Sequence, residues 1–494
     1  MDKNYFFRRQ FLIGKNIKNK LCWDYIDLKN EFKLFYNGDL EISIKENKDR
    51  KLILIGYALD PDNFKFNNSN ILENLLNNNK FNDLFNKTCS FGGRWLIIYV
   101  SNDEFKILTD PTSLRRIYYT IDDEFLIGSD PNIINYFKEQ KKSSDNQLYK
   151  YLNSSYYELE EKIWFSDRTK YNNIRKVLPN KYLDIDKRTT YRFWVDLPND
   201  FTYEQNLKRI AHILINELKA ISLRDRGIIQ SISAGLDSRI MYAASKRANL
   251  SPIYFVSTKN ILSDNDPDIY MPKKILKDYG DELIVLSNLE DFREDFLNIY
   301  NKNVDEARKL PKNLTIQALM DNYDNFYMIT GNIAEVIENY YDRDVAYSGK
   351  EISEILGIPK YITFFNDSFD EWINETRSFL NNHNDIIPMK LFHWELDTGS
   401  WGTFYQAESD IAVDEFPPFN NREIFLRFWK CSNLKKYGKK EVYLDLLRIL
   451  DKNLLNYPIN PLTLKGKILK TIHSKLSYRR RMQLKSLIRK LKQQ

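Results

Sequence analysis

The sequence predicts an α/β protein: a β-rich antiparallel first part, then a second part on a parallel sheet that ends in a helical C-terminal region. Three observations predict it. Residues 51–59, 94–100, 105–110 and 116–121 are short apolar or aromatic runs bounded by turn residues, which is strand chemistry. From about residue 201 strand-like and helix-like segments alternate, and such alternation requires crossover helices and therefore parallel strands. Beyond the strand-like run 326–331 the pattern is mainly helical.

Within the first part, Asn37-Gly38 between apolar runs predicts a tight hairpin turn. The Asn-dense stretch 67–82 keeps Ile71, Leu72, Leu75 and Leu76 at helical spacing, so a short helix is expected there rather than a linker. Residues 181–194 alternate like a terminal hairpin, and the Pro- and Asp-bearing break 196–200 marks the boundary. The expected units are 1–198, 199–464 and a basic, helical tail 465–494. In the second unit the order is a helix (203–223), strand 228–233, helix 237–249, strand 252–257, helix 268–279 and strand 282–287.

The chain has 494 residues, with 74 Lys and Arg against 68 Asp and Glu, a net charge of +6. Residues 465–494 hold eleven of those cations and no acid, so the preceding 464 residues carry 6 − 11 = −5. The basic balance belongs to the tail, which argues against a specific nucleic-acid partner; the tail reads first as a solvated terminal helix packed lightly on its own domain and second as a weak contact with an anionic surface. Cys22, Cys89 and Cys431 lie far apart without a CxxC pair, against both a zinc site and a disulfide scaffold. With no long apolar run and a charge-interrupted start, a cytoplasmic protein is expected.

The chemistry concentrates in IIQSISAGLDSRIMYAASKR, 228–247. An apolar strand ends in Ser233-Ala234-Gly235-Leu236-Asp237-Ser238 and runs straight into a helix. Small residues let a ligand approach the backbone, and hydroxyls with free helix N-terminal N–H groups can hold phosphate oxygens. Asp237 would repel bare phosphate, so it points to a bridging Mg²⁺. The plainer reading is a strand–turn–helix with an N-cap. No GxxxxGK[ST] or GxGxxG loop is present, which removes the P-loop and dinucleotide readings. In FHWELDTGSWGTF, the spacing of Trp394, Glu395 and Trp401 reads first as core and second as part of an acceptor pocket.

SISAGLDSR resembles the SGGLDS pyrophosphate loop of N-type ATP pyrophosphatases, in particular the synthetase domain of the asparagine synthetase family. Three segments follow in the family's order: Asp264-Asn265-Asp266-Pro267-Asp268, Thr330-Gly331-Asn332-Ile333-Ala334-Glu335, and Pro417-Pro418-Phe419-Asn420-Asn421. Gly92-Gly93-Arg94-Trp95, Asp110-Pro111-Thr112-Ser113-Leu114-Arg115 and Leu126-Ile127-Gly128-Ser129-Asp130 resemble the class II glutamine amidotransferase domain. The resemblance implies an Ntn-hydrolase-like α+β sandwich of two antiparallel sheets followed by a PP-loop domain of the adenine-nucleotide α-hydrolase-like fold.

The implied activity is two-step amide ligation with ATP and Mg²⁺. A carboxylate is adenylated, then ammonia or an amine displaces AMP. The resemblance implies Asp237 and Glu335 as Mg²⁺ ligands and Ser233, Gly235, Leu236 and Ser238 around pyrophosphate. It sets Ile232, Val256, Thr330 and Gly331 beside adenosine, and Lys465 or Lys467 as the late lysine that neutralises phosphate. Partners are then a small-molecule carboxylate and an amine, with a peptide or glycan acceptor as the lactam-forming or glycan-modifying variant. A non-catalytic nucleotide-binding scaffold is the other expectation.

Three departures shape these expectations. Asp2 stands where an active amidotransferase has its N-terminal Cys nucleophile, and a carboxylate cannot replace a thiolate, so glutamine hydrolysis is expected to be lost. Ala234 replaces a loop glycine. Asn332 stands where a glutamate is common and cannot serve as a base.

Overall fold

The computed structural model describes residues 5–77, 80–198, 201–305, 307–337, 341, 343–434 and 439–461. Twelve strands make the first part. They are β1 (Phe11–Gly14), β2 (Asp24–Asp27), β3 (Lys33–Tyr36), β4 (Ile42–Glu46), β5 (Arg50–Leu59), β6 (Gly92–Ser101), β7 (Phe105–Thr109), β8 (Tyr118–Thr120), β9 (Ile127–Gly128), β10 (Ile174–Lys176), β11 (Lys181–Asp184) and β12 (Thr189–Arg192). They form two antiparallel six-stranded sheets, in the orders β10-β8-β9-β1-β3-β2 and β12-β11-β7-β6-β5-β4.

Alternation decides which faces meet. Phe11 and Ile13 on β1 pack with Ile53 and Ile55 on β5 and with Leu96 and Ile98 on β6, so the two sheets close face to face. The intervening residues point outward: Leu52, Leu54, Trp95 and Ile97 meet the helix Asn68–Leu76, while Leu12 meets Ile134 of the helix Pro131–Phe137. That first helix carries the expected Ile71, Leu72, Leu75 and Leu76 on its buried face and begins with a capping box between Asn67 and Asn70. The turn at Asn37-Gly38 differs from expectation. Leu40 N–H bonds Asn37 O at 2.9 Å, but β3 and β4 lie in different sheets, so the turn carries the chain between layers and forms no hairpin. The β11–β12 hairpin forms as expected.

The second part carries β13 (Ile228–Ser231), β14 (Ile253–Ser257), β15 (Leu283–Leu286), β16 (Tyr327–Ile329) and β17 (Asp414–Phe416). All pairings are parallel, in the order β15-β14-β13-β16-β17. Helices Tyr203–Ser222, Leu236–Arg247 and Pro267–Tyr279 fill the crossovers, as the alternation requires. The strand β17 lies inside the region that reads as helical. Three residues between helical segments are too few to register as an alternating pattern. Its neighbours Asn420 and Asn421 turn away from the parallel sheet's edge: Asn420 donates to Gly93 O at 2.9 Å and Asp110 Oδ1 at 3.0 Å, and Asn421 to Ser90 O at 2.6 Å.

Two glycines shape the seam between the parts. Gly56 (φ 87°) and Gly93 (φ 93°) adopt left-handed backbone on adjacent strands, and a Cβ on either would lie within 2.3 Å of a carbonyl oxygen opposite. The strands β5 and β6 there send Tyr57 and Arg94 into the second part. The Tyr57 ring meets Tyr327 at 5.0 Å, and Arg94 reaches Asp410 and Asp414 at 2.8 and 2.9 Å. The segment after the described start joins the same seam: Arg8 pairs with Asp39 and Asp324, and Arg9 donates to Asp410 O and Asn325 Oδ1. Asp2 and the tail 465–494 lie outside the described residues. Among the described residues no helix is long and apolar enough to cross a membrane.

Candidate functional site

A cavity of about 290 Å³ opens at the carboxyl ends of β13, β14 and β16. Ligands in open α/β sheets bind outside those strand ends. Ile232, Ser233, Asp237, Ser238, Val256, Thr330, Gly331 and Glu335 all line it, so the two acids singled out in the sequence converge although they are far apart in the chain. Gly235 caps the helix Leu236–Arg247 beside it. Gly235 and Leu236 belong to the loop and not to the cavity wall, while Lys465 and Lys467 lie outside the described residues.

The loop is held by its own hydroxyls. Ser238 Oγ accepts from Ser233 N–H at 3.1 Å, Ser233 Oγ accepts from Gly235 N–H at 3.2 Å, and the two hydroxyls meet at 3.0 Å. Ala234 N–H donates to Asp268 Oδ1 at 3.0 Å, from the first turn of the helix Pro267–Tyr279. Ala234 O accepts from Arg239 at 3.1 Å and from Asn460 N–H at 3.1 Å. The methyl that distinguishes Ala234 from glycine is fully buried, and residue 234 does not take positive φ. The substitution is therefore accommodated without left-handed strain.

Across the cavity, Gly331 packs directly on this loop: a Cβ there would stand 3.1 Å from Asp237 Cβ and from Ser238 N. Two residues on, Ile333 is fully buried with φ 72°. A β-branched residue in that region stores about 1–3 kcal/mol of strain, which is characteristic of sites whose geometry is imposed. Asn332 Nδ2 donates to Glu415 Oε1 at 2.6 Å and Thr330 Oγ1 donates to the same oxygen at 2.7 Å.

The lining is mixed. Phe255, Val256, Leu262, Ile316, Leu319 and Met328 contribute apolar surface, and the lining hydroxyls Ser257 Oγ and Thr315 Oγ1 are hydrogen-bonded at 2.7 Å. Lys312, Tyr405, Ser409 and Asn332 contribute polar groups. Lys312 pairs with Glu161 of the first part, and burial with the nearby Arg308 lowers its pKa. Sequence reasoning missed Lys259, Asp268, Lys312, Tyr405 and Ser409. Only Asp268 carried a signal, through its place in the Asp-rich helix start.

The donor set fits a magnesium nucleotide. Mg²⁺ is held by one or two carboxylates together with substrate phosphates, and Asp237 and Glu335 supply two carboxylates beside loop hydroxyls and a helix N-terminus. Among the described residues no group of three or more His, Cys, Asp or Glu gathers as an all-protein metal cage. The FHWELDTGSWGTF segment contributes nothing to the cavity at Trp394 or Glu395. Residues His393–Thr398 form a π-helix, in which Glu395 is fully buried and accepts from Asn180 at 3.1 Å and Trp372 at 2.8 Å.

No protein-family profile matches the chain, and no curated protein matches it. Among solved structures, a Bacillus subtilis glutamine phosphoribosylpyrophosphate amidotransferase complexed with ADP and GMP is similar at 9% identity and a TM-score of 0.24, over 68% of this chain and 71% of that one. A structure described as the allosteric regulatory enzyme of purine biosynthesis is similar at 9% identity and a TM-score of 0.25, over 72% of each chain. Superpositions this loose define neither fold nor activity for this chain. The α/β class rests on the sheets themselves: two antiparallel, one parallel, with the helical region behind.

Proposed function

We propose that this chain is an ATP-dependent amide-bond-forming ligase of the asparagine synthetase type, without glutamine hydrolysis. One observation carries the reading: Asp237 and Glu335, nearly a hundred residues apart, line one cavity at the carboxyl edge of a parallel sheet, beside a hydroxyl-rich loop that opens a helix. In this reading Ser233, Gly235, Leu236 and Ser238 hold pyrophosphate, and Asp237 and Glu335 hold Mg²⁺. Bound Mg²⁺ supplies charge neutralisation for the phosphates. Ile232, Val256, Thr330 and Gly331 border adenosine, and Lys465 or Lys467 adds a cation from the tail.

The first step joins a carboxylate oxygen to the α-phosphorus and releases pyrophosphate. In the second, an amine nitrogen bonds the acyl carbon as AMP leaves with the electron pair of the broken C–O bond. The protein's contribution is alignment and electrostatic preorganisation. The acceptor is ammonia or a larger amine, including the lactam-forming and glycan-modifying cases. The loss of glutaminase activity rests on Asp2 in the sequence, and the anchoring of Arg8 and Arg9 in the seam supports a structural role for the first part.

The test is pyrophosphate release from ATP and Mg²⁺ across a panel of amino-acid and small carboxylates with ammonium, against Asp237→Ala. Release by the wild type and its loss by at least about a hundredfold in the variant is the expected result. Binding of Mg²⁺–ATP without release on any substrate selects the scaffold alternative, and absence of both overturns the reading.

A further inference from the structure

The acid missing at position 332 has a counterpart one layer deeper. Glu415 on β17 is fully buried. Its Oε1 accepts from Asn332 and Thr330, its Oε2 from Ser409 Oγ at 3.3 Å, and the Gln406 side chain donates to it as well. Asn332, Thr330 and Ser409 all line the cavity. Every one of these neighbours can donate, which is the surrounding an ionised carboxylate takes. All of them are neutral.

We propose that Glu415 receives the proton released when an amine attacks the activated acyl group, with the Ser409 hydroxyl as the carrier. The proposal rests on the ligase reading. Asn332 cannot relay a proton and the ligase reading gives Thr330 to adenosine, so Ser409 is the hydroxyl that joins the cavity lining to Glu415. Its proton has two acceptors in reach, Tyr405 O at 3.0 Å and Glu415 Oε2 at 3.3 Å, and a turn about the Cβ–Oγ bond chooses between them.

The amine nitrogen forms a bond to the acyl carbon and the C–O bond to AMP breaks. The surplus proton on nitrogen passes to Ser409 Oγ while the Ser409 proton passes to Glu415 Oε2. Glu415 returns it through Ser409 Oγ once the amide and AMP have left. Ser409 touches the reacting nitrogen, and Glu415 acts through it as a positioning residue.

The charged and titratable groups facing Glu415 are few. Arg94 on β6 acts across the sheet, and Tyr405 stands beside it on the helix Gly399–Ser409. Burial raises the Glu415 carboxyl above the ordinary range, opposed by the bonds from Thr330, Gln406 and Asn332 and by Arg94. A carboxylate so raised is a better proton acceptor near neutrality than an exposed one.

The test compares wild type, Glu415→Gln and Ser409→Ala. Each receives ATP, Mg²⁺ and the carboxylate that drives pyrophosphate release, with ammonium or hydroxylamine as nucleophile. Hydroxylamine is unprotonated at neutral pH and needs little help from a base. With ammonium, the ratio of amide formed to pyrophosphate released falls about a hundredfold in both variants. Hydroxylamine restores most of it, and at a fixed concentration of free ammonia the rise of that ratio with pH is absent from Glu415→Gln. An unchanged ratio, or an equal loss with both nucleophiles, overturns the proposal. A wild type that releases no pyrophosphate with any carboxylate removes the ligase reading instead, and the proton store is then read without substrate. The infrared difference between wild type and Glu415→Gln shows a carboxylic-acid carbonyl band at mildly acidic pH that disappears as pH rises. Its absence overturns the proposal independently.

Discussion

Arg94 Nη1 lies 2.9 Å from Asp414 Oδ1, joining β6 of the antiparallel part to β17 of the parallel sheet with both side chains out of water. Asp414 also meets Arg115 at 3.2 Å, Arg226 at 3.5 Å and Arg9 at 4.0 Å. Burial works against its charge, but Arg115, Arg94, Arg226 and Arg9 hold the carboxyl well below the usual range. Removing one partner from a buried ion cluster leaves uncompensated charge, costing about 3–5 kcal/mol. Asp414→Asn is therefore expected to lower the unfolding free energy by that amount, read from the shift of the denaturant midpoint. The sign with pH follows from the depressed value: the contribution is complete above the unfolded carboxylate value of about 3.9 and declines as pH falls below it. Wild type loses stability in acid more steeply than the variant.

Glu217 reports with the opposite sign. On the helix Tyr203–Ser222 it is fully buried against Gly92, where a Cβ would stand 2.2 Å from its Oε1, and it accepts from Asn421 Nδ2 at 2.7 Å. Burial raises its pKa well above the ordinary value, with the Asn421 bond opposing. Such a group stabilises fully below the unfolded value of about 4.3, and the contribution fades as pH rises toward the folded value at about 1.4 kcal/mol per unit. Glu217→Gln keeps the shape without the proton, so its melting temperature should gain on the wild type as pH is raised above about 4.3 toward the folded value. A constant difference across pH would show that Glu217 is ionised in the folded state.

Much of this architecture was legible because its strands are apolar runs and its second part alternates strand with helix. The runs at 51–59 and 94–100, bounded by turn residues, specify strands, and the order strand–loop–helix at 228–247 specifies where phosphate-sized ligands can sit. The seam was not legible. Arginine as a residue type belongs on a surface, and only the pairing of Arg94, Arg115 and Arg9 with Asp410 and Asp414, about 300 to 400 residues on, makes their burial affordable. The same blindness hid Lys312 and Ser409, which reach the cavity from helices whose mutual approach is a tertiary fact. Asn332 was readable as a substitution, but its bond to Glu415 depends on β16 and β17 lying side by side, and β17 is three residues long.

Gly331 tests whether the two cavity walls must touch. Its missing side chain lets β16 end against the loop, where a methyl would come within 3.1 Å of Asp237 Cβ and Ser238 N. The first turn of the helix, Asp237 Cβ and the Ser238 backbone, must shift by a few tenths of an ångström, and overpacking of that kind costs about 1–3 kcal/mol. Gly331→Ala is expected to weaken Mg²⁺–ATP binding by about tenfold in calorimetry. Gly38→Ala, with open space around the added methyl, is the control and should leave the affinity alone.

Arg239 ties the last described turn of the chain to the loop. Its guanidinium is fully buried and donates to Ala234 O at 3.1 Å, to Tyr457 O at 2.7 Å and to Pro458 O, while Asn460 N–H returns to Ala234 O. Burial lowers the guanidinium to about 10, still far above neutrality, so the charge persists and is spread over four carbonyl oxygens, Leu454 O at 3.4 Å being the fourth. Arg239→Met fills the space without the donors and leaves those carbonyls short of partners, at about 1–3 kcal/mol for each buried group left unsatisfied. The expected outcome is earlier protease cleavage after residue 457 with the rest of the chain intact. Weaker Mg²⁺–ATP binding should accompany it, because Ala234 O loses two of its holders together. Cleavage at an unaltered rate would mean that the hydrophobic contacts of Leu454 alone secure this segment, and Leu454→Ala should then release it.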